Sequence, residues 1–134
     1  MDFMPKKKLG FGLMRLPLKS GGSAADVDIE QMKKMVDQFI ENGFTYFDTA
    51  WMYNGFNSEA STKAALVDRY DRDRYTLATK LHTGFFDTLE GRDEVFNAQL
   101  EKTGVEYFDY YLLHALNKNN VKRYEKFHIW DFVK

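Results

Sequence analysis

What most constrains the fold of this chain is the regular interval at which short apolar runs stop at an ionisable residue. The run from Phe44 closes at Asp48, Tyr75 to Thr79 closes at Lys80, and Tyr107 to Leu113 closes at His114. Those closing residues lie 32 and 34 positions apart, and Leu13, at the end of the glycine-interrupted run Leu9 to Leu13, precedes Asp48 by 35. Such an interval is the length of one strand plus one helix and its loops. The runs themselves are short, aromatic and β-branched, which reads as strands.

Helix signals fill the gaps. Ile29, Met32, Val36, Phe39 and Ile40 fall on one side of a helix. Asp28 with Gln31 makes its N-terminal cap, Val27 can staple against Met32, and Gly43 ends it. The second helix is expected from Ser58, as cap, to about Asp68, with Ala64, Ala65 and Leu66 inside; the charged stretch Asp68 to Arg74 reads as a solvated loop. Val95, Phe96 and Leu100 mark the inner side of a third helix ending at Gly104, and a further one is expected at Trp130 to Lys134. This is an α/β chain with about four parallel strands alternating with helices. A barrel and an open doubly wound sheet both fit that order, and periodicity does not choose between them.

At 134 residues the length suits a single domain spanning 1–134. Net charge is −1 with both signs interspersed, so neither nucleic acid nor membrane is an expected partner. The absence of cysteine excludes disulfides, thiolate nucleophiles and cysteine-bound metals, and is neutral to the reducing cytoplasm, the expected location. No apolar stretch approaches the roughly 18 residues of a spanning helix, and the N-terminus, basic at Lys6 to Lys8, lacks the apolar core of a signal peptide.

Ionisable groups are rarely tolerated inside parallel strands, and in α/β proteins the C-terminal strand edge is the functional one. Singly, Asp48 could be a loop cap, Lys80 a snorkelling strand end and His114 a hydrogen-bonded core histidine. Their recurrence at one-unit intervals favours a shared site. His82 with His114 and Asp48 would suggest a metal, but the close histidine pair expected on strand one is missing, and no metal is expected.

The motif Phe47-Asp48-Thr49-Ala50-Trp51-Met52-Tyr53 resembles the aldo-keto reductase pattern of Asp-Thr-Ala followed by a tyrosine. Leu77-Ala78-Thr79-Lys80 resembles that family's lysine strand, Tyr111-Leu112-Leu113-His114 its histidine strand, and Leu9-Gly10-Phe11-Gly12 its first barrel strand. The resemblance implies the first half of a (β/α)8 TIM barrel, a nicotinamide cofactor, NADPH or NADH, and reversible reduction of a small aldehyde or ketone to an alcohol. It implies Asp48, Tyr53, Lys80 and His114 as the catalytic group, with Asp48 and Gly12 touching the cofactor.

In that scheme Tyr53 gives the proton that the reduced carbonyl oxygen needs. Lys80 favours the phenolate, Asp48 holds Lys80, and His114 orients the substrate. Trp51 and Met52 could line a substrate wall or simply pack. The loop Asn54 to Glu59 departs from the family's commoner glycine-rich version, which bears on substrate preference.

A complete barrel of this kind needs about 250 residues, so the expectation is an apparently truncated half that self-associates through its open sheet edges and has weak or no activity alone. Two other readings stay open. One is a non-enzymatic binding or regulatory half barrel. The other is a small doubly wound domain, disfavoured because Gly10-Phe11-Gly12 does not continue as a dinucleotide fingerprint.

Overall fold

The computed structural model describes Pro5 and residues 7–134. Of the basic N-terminal run, Lys6 lies outside the described residues, as do residues 1–4. Strands β1 (Gly10–Gly12), β2 (Tyr46–Asp48), β3 (Thr76–Leu81) and β4 (Tyr110–Leu113) form one parallel sheet in the order β1-β2-β3-β4. Each strand lies beside the next in sequence, without the reversal of order that marks a doubly wound sheet. The order is that of successive strands in a barrel. Among the described residues no helix is long and apolar enough to cross a membrane.

Helix α1 (Ile29–Glu41) forms as its caps require. The Asp28 carboxylate accepts from the Gln31 amide at 3.0 Å, Val27 and Met32 are both buried in the same cluster, and Gly43 leaves the helix at φ 81°. Helix α2 (Ser58–Thr62) runs on as a π turn over Lys63–Val67. Ser58 is not its cap, contrary to expectation: Asn57 holds that place, and the Ser58 hydroxyl turns inward to donate to the Leu13 carbonyl at 2.7 Å and meet Thr49 Oγ1 at 2.8 Å. A buried hydroxyl satisfied by tertiary partners has no need of a helix end.

Helix α3 (Leu89–Thr103) starts at Thr88, whose hydroxyl accepts from Gly91, and stops at Gly104 with φ 73°. Its fully buried residues are Gln99 and Thr103, while Val95, Phe96 and Leu100 are only half-buried. Two short helices follow, α4 (Val121–Lys126) and α5 (Ile129–Phe132), where one at Trp130 to Lys134 was expected. Tyr124 and Ile129 are fully buried and pull both helices onto Leu81 and Phe86. Strand boundaries also differ from the sequence reading. β2 and β4 begin two and three residues later, and β3 continues through Lys80 to Leu81.

Side chains alternate along each strand. Phe11, Phe47, Leu77, Thr79 and Leu81 face the helices, and Tyr46, Asp48, Ala78 and Lys80 occupy the opposite face. The helix side is held by aromatic packing: Phe47, fully buried, stacks on Phe11 at 5.5 Å between centroids and meets Phe39 edge-on at 5.1 Å. Phe47→Ala removes all of that ring packing from a fully buried site. It should lower unfolding free energy by about 3–5 kcal/mol in urea denaturation.

Candidate active site

The β2–β3 register aligns Asp48 with Ala78. Lys80, two residues further along β3, therefore projects from the same face as Asp48, one step nearer the C-terminal edge. Its side chain is 11% exposed, and an ammonium so buried needs acceptors to replace water. It has two: Nζ donates to Asp48 Oδ1 at 2.5 Å and to the Thr49 carbonyl at 2.7 Å. The remaining side of the cation lies over the Tyr53 ring, 4.6 Å from its centroid, where the π face is attractive to positive charge. Tyr46, two residues before Asp48, shares the Asp48 carboxylate. Burial, then that negative charge and the hydrogen bond to it, hold the Tyr46 phenol above its ordinary pKa of 10.

Tyr53 sits on the loop after β2, and the backbone turns sharply there over Tyr53–Phe56. His114 follows β4 directly, its amide extending the ladder to the Leu81 carbonyl at 2.8 Å. The Tyr124 hydroxyl donates to the His114 carbonyl at 2.5 Å and so fixes this strand end from α4. The imidazole stands edge-on to Tyr53, with centroids 5.7 Å apart, and 5.5 Å from the His82 ring. Burial, the Lys80 ammonium and His82 together depress its pKa below 6.5 against the opposing pull of Asp48, and the shift favours the neutral imidazole. His114 Nδ1 is buried without a hydrogen-bond partner.

The four residues singled out by sequence thus surround one point at the C-terminal edge of the sheet. Gly12 lies at the end of β1 in register with Asp48, and a Cβ there would meet nothing within 4 Å, so this flank is open. Trp51 and Met52 are half-buried, and Trp51 carries the Lys102 ammonium over its ring at 4.3 Å.

Sequence reasoning missed what lies behind the sheet. Glu59, on α2, is fully buried; its Oε1 accepts from Thr79 Oγ1 at 2.7 Å and Gln99 Nε2 at 2.8 Å. Gln99 Nε2 also reaches the Lys80 carbonyl at 3.0 Å, and Gln99 Oε1 accepts from the Tyr111 hydroxyl at 2.7 Å. Burial raises the Glu59 pKa above 4.5 despite Thr79 and Lys102, and raises Tyr111 far above 10. A polar residue on the inner face of a helix was the available signal, but Gln99 declares itself only through partners distant in sequence.

The profile of the Aldo/keto reductase family matches residues 8–134. The chain is 31% identical over 105 residues, 75% of its length, to the 4-dihydromethyl-trisporate dehydrogenase of Mucor mucedo, of which this covers 31%. It is 30% identical over 96 residues, 65% of its length, to a Schizosaccharomyces pombe protein named as a putative voltage-gated potassium channel subunit beta, of which this covers 28%. Its fold is similar to that of an aldo-keto reductase from Klebsiella pneumoniae solved in complex with NADPH, at a TM-score of 0.63 and 23% identity, over 90% of this chain and 41% of that one. The chain therefore spans less than half the length of these relatives.

The His114 environment has a measurable consequence. Among the three histidines, His114 should titrate below 6.5 in a ring NMR titration, and Lys80→Met should move it upward by removing a positive neighbour and freeing the Asp48 charge. Because its folded pKa is depressed, the His114 contribution to stability is present above 6.5 and is lost as pH falls through the folded value. A His114 titration unchanged in Lys80→Met would contradict the electrostatics of the cluster.

Proposed function

The chain belongs to the aldo/keto reductase family, and from that membership we propose that its strand-edge cluster reduces an aldehyde or ketone with NADPH or NADH, Tyr53 serving as proton donor. The observation that carries this reading is the Lys80 ammonium, gripped by Asp48 and the Thr49 carbonyl and resting on the Tyr53 ring. When bound, the nicotinamide supplies the hydride. The open flank at Gly12 beside the Asp48 carboxylate suits that group, and these two residues would hold it. Hydride reaching the carbonyl carbon puts negative charge on its oxygen, and the Tyr53 hydroxyl gives that oxygen its proton. Lys80 then stabilises the phenolate left behind. Asp48 keeps the ammonium charged and in place, and neutral His114 has an N–H to offer the carbonyl oxygen, orienting it toward Tyr53.

A second reading, a non-enzymatic binding or regulatory half-barrel domain, is supported by the similarity to the Schizosaccharomyces pombe protein named as a putative voltage-gated potassium channel subunit beta. We further propose that the chain associates with a second copy. Among the described strands β1 and β4 each pair on one side only, and Leu112 on the open face is 37% exposed. Unpaired parallel edges seek a partner. The cytoplasm is the inferred compartment, consistent with a cysteine-free sequence.

NADPH oxidation by the complete protein that depends on an added reactive aldehyde decides between the readings. Under the enzymatic one, Tyr53→Phe loses turnover by roughly 10²–10⁴-fold with NADPH affinity nearly unchanged, because only the transferable proton is removed. NADPH binding without turnover in the unaltered complete protein supports the regulatory reading, and near-normal turnover in its Tyr53→Phe variant refutes the assigned donor. Sedimentation should show a dimer or larger species; a stable monomer would rule out association through the open edges.

A further inference from the structure

The turn that follows Tyr53 is strained in a way its own sequence does not explain. Asn54 (φ 51°, ψ 51°), Gly55 (φ 59°, ψ 41°) and Phe56 (φ 67°) are successively left-handed. Glycine adopts that conformation freely and asparagine tolerates it, but a bulky phenylalanine avoids it. Such a run persists only where surrounding groups over-determine it. On one side the Asn54 side-chain Nδ2 donates to the Ala24 carbonyl at 3.1 Å and the Asn57 side-chain Nδ2 to the Ala25 carbonyl at 2.7 Å, tying the turn to the segment before α1. On the other side, Lys102 reaches over from the last turn of α3.

Lys102 Nζ makes three contacts that no solvated lysine needs. It donates to the Phe56 carbonyl at 2.8 Å, lies over the Trp51 ring at 4.3 Å, and stands 3.7 Å from Glu59 Oε2, a fully buried oxygen with no hydrogen bond. Glu59 is itself fixed by Thr79 and Gln99, so the anchor of the cation belongs to the framework that also holds the Lys80 carbonyl. The contacted residues Trp51 and Phe56 bracket Tyr53, and the Asn57 amide folds back onto the Tyr53 carbonyl at 3.2 Å.

We propose that Lys102 is a positioning residue for Tyr53, a latch whose grip on the Phe56 carbonyl and Trp51 ring keeps the strained Asn54–Phe56 turn formed and the Tyr53 ring seated against Lys80 and His114. The catalytic consequence rests on the reading of Tyr53 as donor; the latch itself does not. Lys102→Met keeps the aliphatic stem and removes charge and donor, Lys102→Arg keeps both, and Lys34→Met, at an exposed position of α1, is the control.

Two readouts independent of turnover serve: the Tyr53 ring resonances, and amide exchange at Asn57 compared with Val36 in the core of α1. In Lys102→Met the Tyr53 resonances should shift or broaden, and Asn57 should exchange roughly tenfold to a hundredfold faster, as loss of one charge-assisted hydrogen bond implies. Val36 should be unaffected, Lys102→Arg should restore both signals, and Lys34→Met should leave them alone. The proposal is overturned by unchanged Tyr53 and Asn57 signals in Lys102→Met, by protection lost equally at Val36, or by failure of Lys102→Arg to restore them. If turnover shows that the donor lies elsewhere, these two readouts still decide whether the latch exists.

Discussion

A lysine ammonium with little access to water must find its solvation inside the protein, and at Lys80 that requirement organises the whole C-terminal edge of the sheet. Its two acceptors come from β2 and the residue just after it, so the cation sets how the β2 end lies against β3. Its charge reaches further, adding to burial in lowering the His114 pKa on the next strand and offering the Tyr53 ring a cation to cover. Breaking a buried pair by removing one member is costly because the other charge remains. The geometry of the cluster is thus bound to the stability of the strand ends that carry it.

The opposite face of the same strands solves a different problem. Toward β1 and β2 it is sealed by rings, with Phe47 between Phe11 and Phe39. At the middle of β3 and β4 a polar cluster of Glu59, Thr79, Gln99 and Tyr111 interrupts the apolar packing around Leu77 and Leu81. A polar core is tolerable only when its groups satisfy one another, and here that mutual satisfaction ties α2, α3 and β3 together at the Glu59 carboxylate, with β4 joined to them through Gln99. Glu59 keeps one oxygen without a hydrogen bond and faces Lys102 instead, which is how the polar cluster comes to bear on the loop above it.

Much of this arrangement is legible in the sequence where local physics decides it. The interval between Asp48, Lys80 and His114 yields the βα order, and Asp28, Gln31 and Gly43 mark α1 because capping is a matter of a few neighbouring residues. Where tertiary partners decide, reading along the chain goes astray. Ser58 has the composition of a cap but spends its hydroxyl on Leu13 and Thr49; Lys80 sits inside β3 because Asp48 and Thr49 make its burial tolerable. The inner surface of α3 escapes any apolar periodicity since its buried members are Gln99 and Thr103. Tyr53 could be singled out only through resemblance to a family motif, and nothing local distinguishes Lys102 from the other lysines on the surface of the chain.

Residue 80 belongs to both faces at once, its side chain among the reactive groups and its carbonyl bonded to Gln99 behind the sheet. Most strand positions answer to one face alone, as Tyr46 does on the reactive side and Phe47 on the other. At residue 80 that independence fails. A redesign of the helix layer that displaces Gln99 is also a redesign of the chemistry, and an engineer who treats the two layers as interchangeable modules will find that they share this one peptide.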